Sequence, residues 1–409
     1  MRLAVAFLVS CLLPAPPAAA QGELRGELIF PFEHWHNHGS SLVELPDGDL
    51  LVSWFHGSGE RTADDVAILG ARRSRATGRW TEPFVLADTP GFPDTNCALL
   101  VGPDQRLWLF YPTILDNRWE GALLKYRVTS DLGFTTAPAW EVSEVLHMKP
   151  GESFPRVLEE KLGALAASQG LDPADRTAWP QRTRAWYEAG LEQAADKLTR
   201  RLGWFTRAHP YVLDDGRILV GLYSDGFSIS AATWSDDGGA TWTMSEPIVG
   251  AGNVQPSFAR RRDGTLVAFM RDNGPAPKKL LVAESKDRGE TWSLARDHPD
   301  LVEPGAGNEV LVLQSGRWIV VHNDAPDGRH RLAVSISDDE GRTFPRRAYL
   351  ERSAKGAGRH HYPSVIQARD GTIHVSYSHH VAAALGPGQQ GKTIKHAWFG
   401  EDWLLANAE

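Results

Sequence analysis

Apolar residues along this chain come in short runs that alternate with polar ones, and turn residues separate the runs. Short apolar runs bounded by turn residues are the signature of strands. A strand–turn–strand unit recurs six times. It spans 41–55 around Asp47-Gly48, 98–111 around Asp104, 211–223 around Asp215-Gly216, 257–270 around Asp263-Gly264, 309–322 around Ser315-Gly316 and 364–377 around Asp370-Gly371. A second hairpin alternates with the first and reads Ser-x-Asp-x-Gly-x-Thr-aromatic. Its copies are Ser235, Asp237, Gly239, Thr241, Trp242; Ser285, Asp287, Gly289, Thr291, Trp292; and Ser337, Asp339, Gly341, Thr343, Phe344. Degenerate copies stand at 74–80 and 130–140. Two hairpins per repeat make four strands, so the pattern predicts an all-β, six-bladed β-propeller. The last repeat is short of sequence for an outermost strand. The segment 23–30 is expected to fill that place and close the ring.

One stretch breaks this β pattern. Between 153 and 202, Leu158, Leu162, Leu165, then Trp186, Leu191, Ala194 and Leu198 recur at helical spacing. Pro155 suits a helix start, and Pro173 with Pro180 marks a break between two helices. This predicts a helical insertion between blades two and three.

The second hairpin has a physical logic. Its Asp accepts bonds from turn amides, its Gly permits positive φ, and its aromatic ring fills the gap between neighbouring sheets. It is the Asp-box, and with copies 50 and 52 residues apart the chain resembles the sialidase superfamily. The resemblance covers nearly all of the chain after residue 20, apart from the insertion. It implies a carbohydrate-processing pocket on the propeller axis.

Composition narrows the class. A length of 409 residues exceeds one ordinary domain, but a repeat ring holds it in one unit. A net charge of −8 and a pI near 6.0 give no basis for a nucleic-acid partner. Residues 1–20 read as a secretory signal: Arg2, an apolar run over 3–13, and Ala18-Ala19-Ala20 as a cleavage site. The run is too short to span a bilayer. The expectation is a secreted or periplasmic propeller over 21–409, with no membrane partner beyond the signal. A lipoprotein signal ending at Cys11 is the alternative. Cleavage after Ala20 leaves Cys97, which reads as a small buried hydrophobe and not as a nucleophile. Nothing calls for an organic cofactor, and the histidines lack a recognisable metal-ligand spacing.

Propeller topology says where a site must lie. Asp-box turns and inner-hairpin turns share one face, so inner-strand starts and second-to-third-strand loops converge on the axis at the other. The residues placed there are polar in all six blades, and convergence of titratable groups on a concave site is the default active-site signature. The candidates for chemistry are Tyr362, Asp64, Asp65, Glu309 and His38. The candidates for substrate binding are His36, Arg61, Asn96, Arg207, His209, Gln255, Arg271 and His361.

Sialidases use a Tyr nucleophile assisted by Glu, an Asp acid/base and three arginines that grip the substrate carboxylate. The resemblance places Tyr362 at the Tyr position, Asp64 or Asp65 in the Asp loop, Arg207 and Arg271 among the arginines, and Glu309 as carboxylate partner. It departs at blade one. Where the family has an Arg-Ile-Pro-like motif, this chain has His36-Asn37-His38-Gly39. The expectation is therefore a glycoside hydrolase-like enzyme acting on an oligo- or polysaccharide, but not a typical sialidase. Two alternatives stay open. His36 and His38 share a strand face, and either suits a polysaccharide lyase acting beside a uronate carboxylate. A non-catalytic glycan-binding propeller is the other.

Overall fold

A computed structural model describes residues 22–409; the signal segment and Cys11 lie outside the described residues. The strands form six four-stranded antiparallel sheets around an axis. Five sheets are consecutive in sequence. The sixth takes Gly358–Gln367, Ile373–Gly386 and Gln389–Phe399 and adds Arg25–Leu28 at its outer edge. The early segment thus closes the ring. Glu27 secures the closure, accepting bonds from Arg73 Nε (2.7 Å), Trp80 Nε1 (2.9 Å) and His396 Nδ1 (3.2 Å).

Apolar clusters lie between neighbouring blades. Leu313, Ile319, Val334, Val365, Val375 and Tyr377 join blades five and six, and Phe269, Val310, Trp318 and Phe344 join four and five. This burial removes sheet faces from water and is the main term holding the ring together. The Asp-boxes supply its outer corners. In the first, Asp237 accepts Thr241 N (2.9 Å), Thr241 Oγ1 (2.6 Å) and Ser235 Oγ (2.8 Å), and these bonds hold its carboxyl down at about 2. Cys97 is buried and receives the Ser53 hydroxyl; burial pushes its thiol up to about 12, an inert setting.

The insertion folds as α1 (Phe154–Ser168) and α2 (Gln181–Ala195), broken over 169–180. It packs on blades three and four. Trp186 donates to Phe227 O (3.1 Å), and Lys161 donates to Pro247 O and Trp292 O. The buried face of α2 is Tyr187, Gly190 and Ala194. Leu198 does not join that stripe, because α2 ends at Ala195 and Leu198 is 69% exposed.

One backbone device recurs on the inner strands. Gly39, Asn96, Gln255 and Tyr362 all adopt positive φ, between 42° and 62°. In blades one, four and six the register slips at that point, between His38 and Ser41, Val254 and Ser257, and His361 and Ser364. Each slip is a β-bulge, which re-aims a side chain out of the regular alternation. A left-handed non-glycine residue costs on the order of 1–3 kcal/mol and persists where the surroundings enforce it. The serine two positions on ties adjacent blades: Ser41 Oγ accepts Leu99 N, Ser257 Oγ accepts Val310 N, and Ser364 Oγ accepts Leu42 N.

Candidate active site

The bulges open onto a cavity of about 440 Å³ at the axis. All six blades supply its lining. Of the sequence candidates, Tyr362, His38, His36, Asn96, Gln255, Arg271 and His361 are there. The Tyr362 hydroxyl is the hub. Arg271 Nη1 donates to it at 2.8 Å and Gln255 Nε2 at 3.1 Å. Gln255 Nε2 and Asn96 Nδ2 also donate to the Tyr223 hydroxyl, at 3.1 and 2.8 Å. No carboxylate bonds the Tyr362 hydroxyl among the described residues. Where the resemblance puts a Glu beside the Tyr, this pocket has the Gln255 amide.

Six candidates sit elsewhere. Glu309 is buried under the floor, where Oε1 accepts His209 N (2.7 Å) and His209 Nδ1 (3.0 Å) and Oε2 accepts Val365 N (2.7 Å). His209 Nε2 bonds Leu42 O at 2.6 Å. Arg207 lies beneath the Tyr362 ring, its Cζ 5.1 Å from the centroid, and donates to Asn308 O and Pro363 O. These three groups stitch blades one, three, five and six across the axis, facing away from the cavity. Asp65 accepts Ser58 N and Ser58 Oγ and so closes its own loop. Asp64 accepts Asn117 Nδ2 at 2.9 Å on the surface. Arg61 covers the Trp119 ring at 5.1 Å. The acid from that loop that reaches the cavity is Glu60.

Glu60, Asp225, Arg329, Arg359 and Lys392 line the cavity but were not among the sequence candidates. Glu60 and Asp225 belong to cross-loops already placed at this face by topology; their loop positions were legible, their reach was not. Arg329 lies in the blade-five cross-loop, beyond Asn323 and Asp324, and Arg359 precedes the His360-His361-Tyr362 run. Burial raises Glu60 against the pull of Arg61, Arg329 and Arg271, with Asp225 adding to the rise. Burial likewise raises Asp225, against Arg271. Both acids can therefore hold a proton at higher pH than an ordinary carboxyl.

The histidines take the opposite setting. Burial, with Lys392 and neighbouring cations adding, lowers His36 to about 4, and burial lowers His380 to about 3. Burial drives His38 and His361 well below their usual value. All four are neutral at pH 7 and available as bases or acceptors. His38 packs on Tyr362 at 4.2 Å between centroids, and its Nδ1 bonds Ser378 Oγ at 2.8 Å. His361 has neither ring nitrogen partnered, and His36 Nε2 is also without a partner among the described residues. Buried polar atoms left open in a pocket are places for a ligand or water. α2 and its loop stand beside this mouth. Gln193 Oε1 would meet a Cβ at Gly226, next to Asp225, and Asn273 lies on both the cavity and the insertion's own cleft.

A six-bladed ring with Asp-box corners and a polar axial pocket around a bulged tyrosine defines a sialidase-superfamily propeller. The BNR repeat-like domain model matches residues 48–375, and the chain belongs to that family. Among solved structures it is similar to a protein of unknown function from Dyadobacter fermentans, with 17% identity, TM-score 0.65, and 94% of this chain and 99% of that one covered. It is similar to the leech intramolecular trans-sialidase solved with 2,7-anhydro-Neu5Ac, with 13% identity, TM-score 0.66 and coverage of 93% and 71%. It is also similar to the Ruminococcus gnavus intramolecular trans-sialidase in complex with oseltamivir carboxylate, with 12% identity, TM-score 0.64 and coverage of 90% and 95%. At such identities the likeness is one of fold. A search of curated proteins gives no match.

Proposed function

We propose that this chain is an exported glycoside hydrolase-like enzyme that cleaves an acidic sugar from a glycan. The observation that carries the reading is the Tyr362 hydroxyl, aimed into the cavity by a left-handed backbone and held 2.8 Å from Arg271 Nη1. Arg271 donates directly to the hydroxyl, and the Arg329 Cζ lies 5.4 Å from the ring centroid. Guanidinium forks at this position suit a carboxylate on the reacting ring. Tyr362 Oη attacks the anomeric carbon while protonated Glu60 gives its proton to the leaving oxygen. Water then displaces the tyrosine, giving its proton to ionised Glu60, and the departing phenolate takes its own proton back from the base that held it. The neutral imidazole of His38, packed on Tyr362, is the base at hand for the phenol proton.

A second reading has its own support. Tyr362 faces an amide where a hydrolase of this kind would hold a carboxylate, His38 and His361 stand against its ring, and His36 and His380 share the cavity. In a lyase the arginines would neutralise a uronate carboxylate and a neutral histidine would remove the adjacent ring proton. Incubation with aryl sialosides, aryl uronides, uronate oligosaccharides and neutral glycosides separates the readings. A hydrolase releases phenol or new reducing ends from acidic substrates only. A lyase gives an absorbing unsaturated uronate. Turnover confined to neutral glycosides overturns both, and binding of acidic glycans without turnover makes the propeller a binding module.

A further inference from the structure

The cavity holds two sets of cations, and the reading above uses one. Arg271 and Arg329 border Tyr362. Arg359 and Lys392 stand on blade six and make no bond to the reacting hydroxyl, whose partners are Arg271 and Gln255. Strand register explains their placement. Arg359 pairs opposite His380 across the first and second strands, and His380 pairs opposite Lys392 across the second and third. Directly paired residues project to the same face, so Arg359, His380 and Lys392 form one row that lines the cavity. His36 approaches this row from blade one, where burial first, then Lys392, His56 and Arg359, disfavour its charged form. His380 is fixed by the bond from Nε2 to Asn37 O at 2.9 Å.

The row has no counter-charge. Neither Arg359 nor Lys392 makes an ion pair among the described residues, and the one side-chain bond of Lys392 is to His34 O at 3.3 Å. Elsewhere on this blade cations are matched: Lys395 meets Glu351 and Arg369 meets Glu44. Two like charges on one face of a sheet repel each other, and the buried His36 Nε2 beside them lacks a partner. A concave row of unopposed cations concentrates anions.

We propose that Arg359 and Lys392, with His36, form a second anion subsite that takes a second acidic group of the substrate. This rests on the acidic-sugar reading of the pocket. The group is a sulfate ester or a second carboxylate, on the reacting sugar or on its neighbour. The substrate is then a doubly anionic glycan, gripped at one end by Arg271 and Arg329 and at the other by the blade-six row.

Calorimetric titration of the full chain tests this without turnover. The probes are a neutral disaccharide, an unsulfated uronate disaccharide, the same disaccharide with one sulfate, and a diuronate. A charge-assisted contact in the cavity should tighten the doubly anionic probes over the singly anionic one by about tenfold. Preference for the sulfated probe or for the diuronate identifies the group. The Arg359→Gln/Lys392→Gln chain should bring that ratio close to one, and each single change should lower it. If a second anion adds no affinity, or the double variant keeps the ratio, the subsite is refuted and the acidic-sugar reading stands. If no acidic probe binds better than the neutral one, the acidic-sugar reading fails first.

Discussion

Two polar clusters share the propeller axis, one above the other, and they differ in how their bonds are used. Under the floor, Glu309 has both oxygens occupied and His209 both nitrogens, and of the three groups there only Arg207 keeps an open atom, its Nε. In the cavity, His361 has neither nitrogen engaged, and His36 Nε2 and Gln255 Oε1 are also open. Both clusters are buried and titratable and draw on several blades, so residue type does not tell them apart. Bond saturation does. A closed network fixes blades to each other, whereas an open one keeps valences for a partner from outside.

The largest effect should come from the open cluster. Tyr362→Phe removes one oxygen and leaves the ring under His38 and over Arg207. We expect turnover to fall by about 10⁴-fold or more if the hydroxyl is the reacting group, with the melting temperature within a few degrees. Steady-state kinetics on whichever acidic substrate proves active, alongside a thermal melt, checks this. Equal losses in stability and activity would make Tyr362 a packing residue and erase the contrast between the clusters.

Next comes the closed cluster. Glu309→Ala strands His209 and two backbone amides, and breaking a buried ion pair from one side costs roughly 3–5 kcal/mol. Denaturant unfolding should show that loss, while the folded fraction keeps its kinetic constants. The pH dependence has a definite sign. Burial pushes Glu309 up, but His209 and the bonds it accepts outweigh that and hold it below the usual carboxyl value. Its contribution is present above that ordinary value and fades as pH falls through the lowered one. Burial pushes His209 down, but Glu309 outweighs that and raises it. Its contribution is full below the ordinary imidazole value and fades as pH rises through the raised one. Stability should therefore peak between these limits, and Glu309→Gln should remove the acid limb.

Glu60 provides a smaller test inside the cavity. If it is the proton donor, kcat/KM falls on the alkaline side as its raised carboxyl loses the proton. Glu60→Gln should cost about 10²–10⁴-fold and flatten that limb. An unchanged profile would transfer the role to Asp225, whose carboxyl burial also raises.

Much of this was legible in the residues. Repeats gave six blades, the Asp-box gave their corners, and topology gave the face on which Tyr362, His38 and Gln255 meet. Glu309 and His209 were also at inner-strand starts, yet they belong to the closed cluster. The reason is local: blades one, two, four and six carry a left-handed residue at that point, and Glu309 and His209 do not. A bulge turns one side chain up into the cavity, whereas regular strand geometry sends Glu309 to the other side of the floor. Tyr362-Pro363-Ser364 and Gln255-Pro256-Ser257 repeat one motif, which was a readable mark of the bulge. Arg329, Arg359 and Glu60 carried no such mark, since loop length and strand register decide their reach.

The smallest effect concerns the corners. Asp287 accepts Thr291 N (2.9 Å), Thr291 Oγ1 (2.5 Å) and Ser285 Oγ (2.8 Å), on the face opposite the cavity. In Asp287→Ala, Gly289 N still reaches Ser285 Oγ at 2.9 Å, and Trp292 stays stacked on Phe258 at 5.4 Å between centroids. The turn loses its local bonds but keeps its apolar anchor, so the cost should be about 1–2 kcal/mol. Asp237 and Asp339 serve separate corners and share no partner with Asp287, so the three losses should add. Urea unfolding of the single and triple variants measures this, and kinetic constants of the folded protein should stay level throughout. A selective loss of turnover in Asp287→Ala at full stability would place the corner in communication with the cavity, and bond saturation would then no longer separate structural from functional polar clusters in this ring.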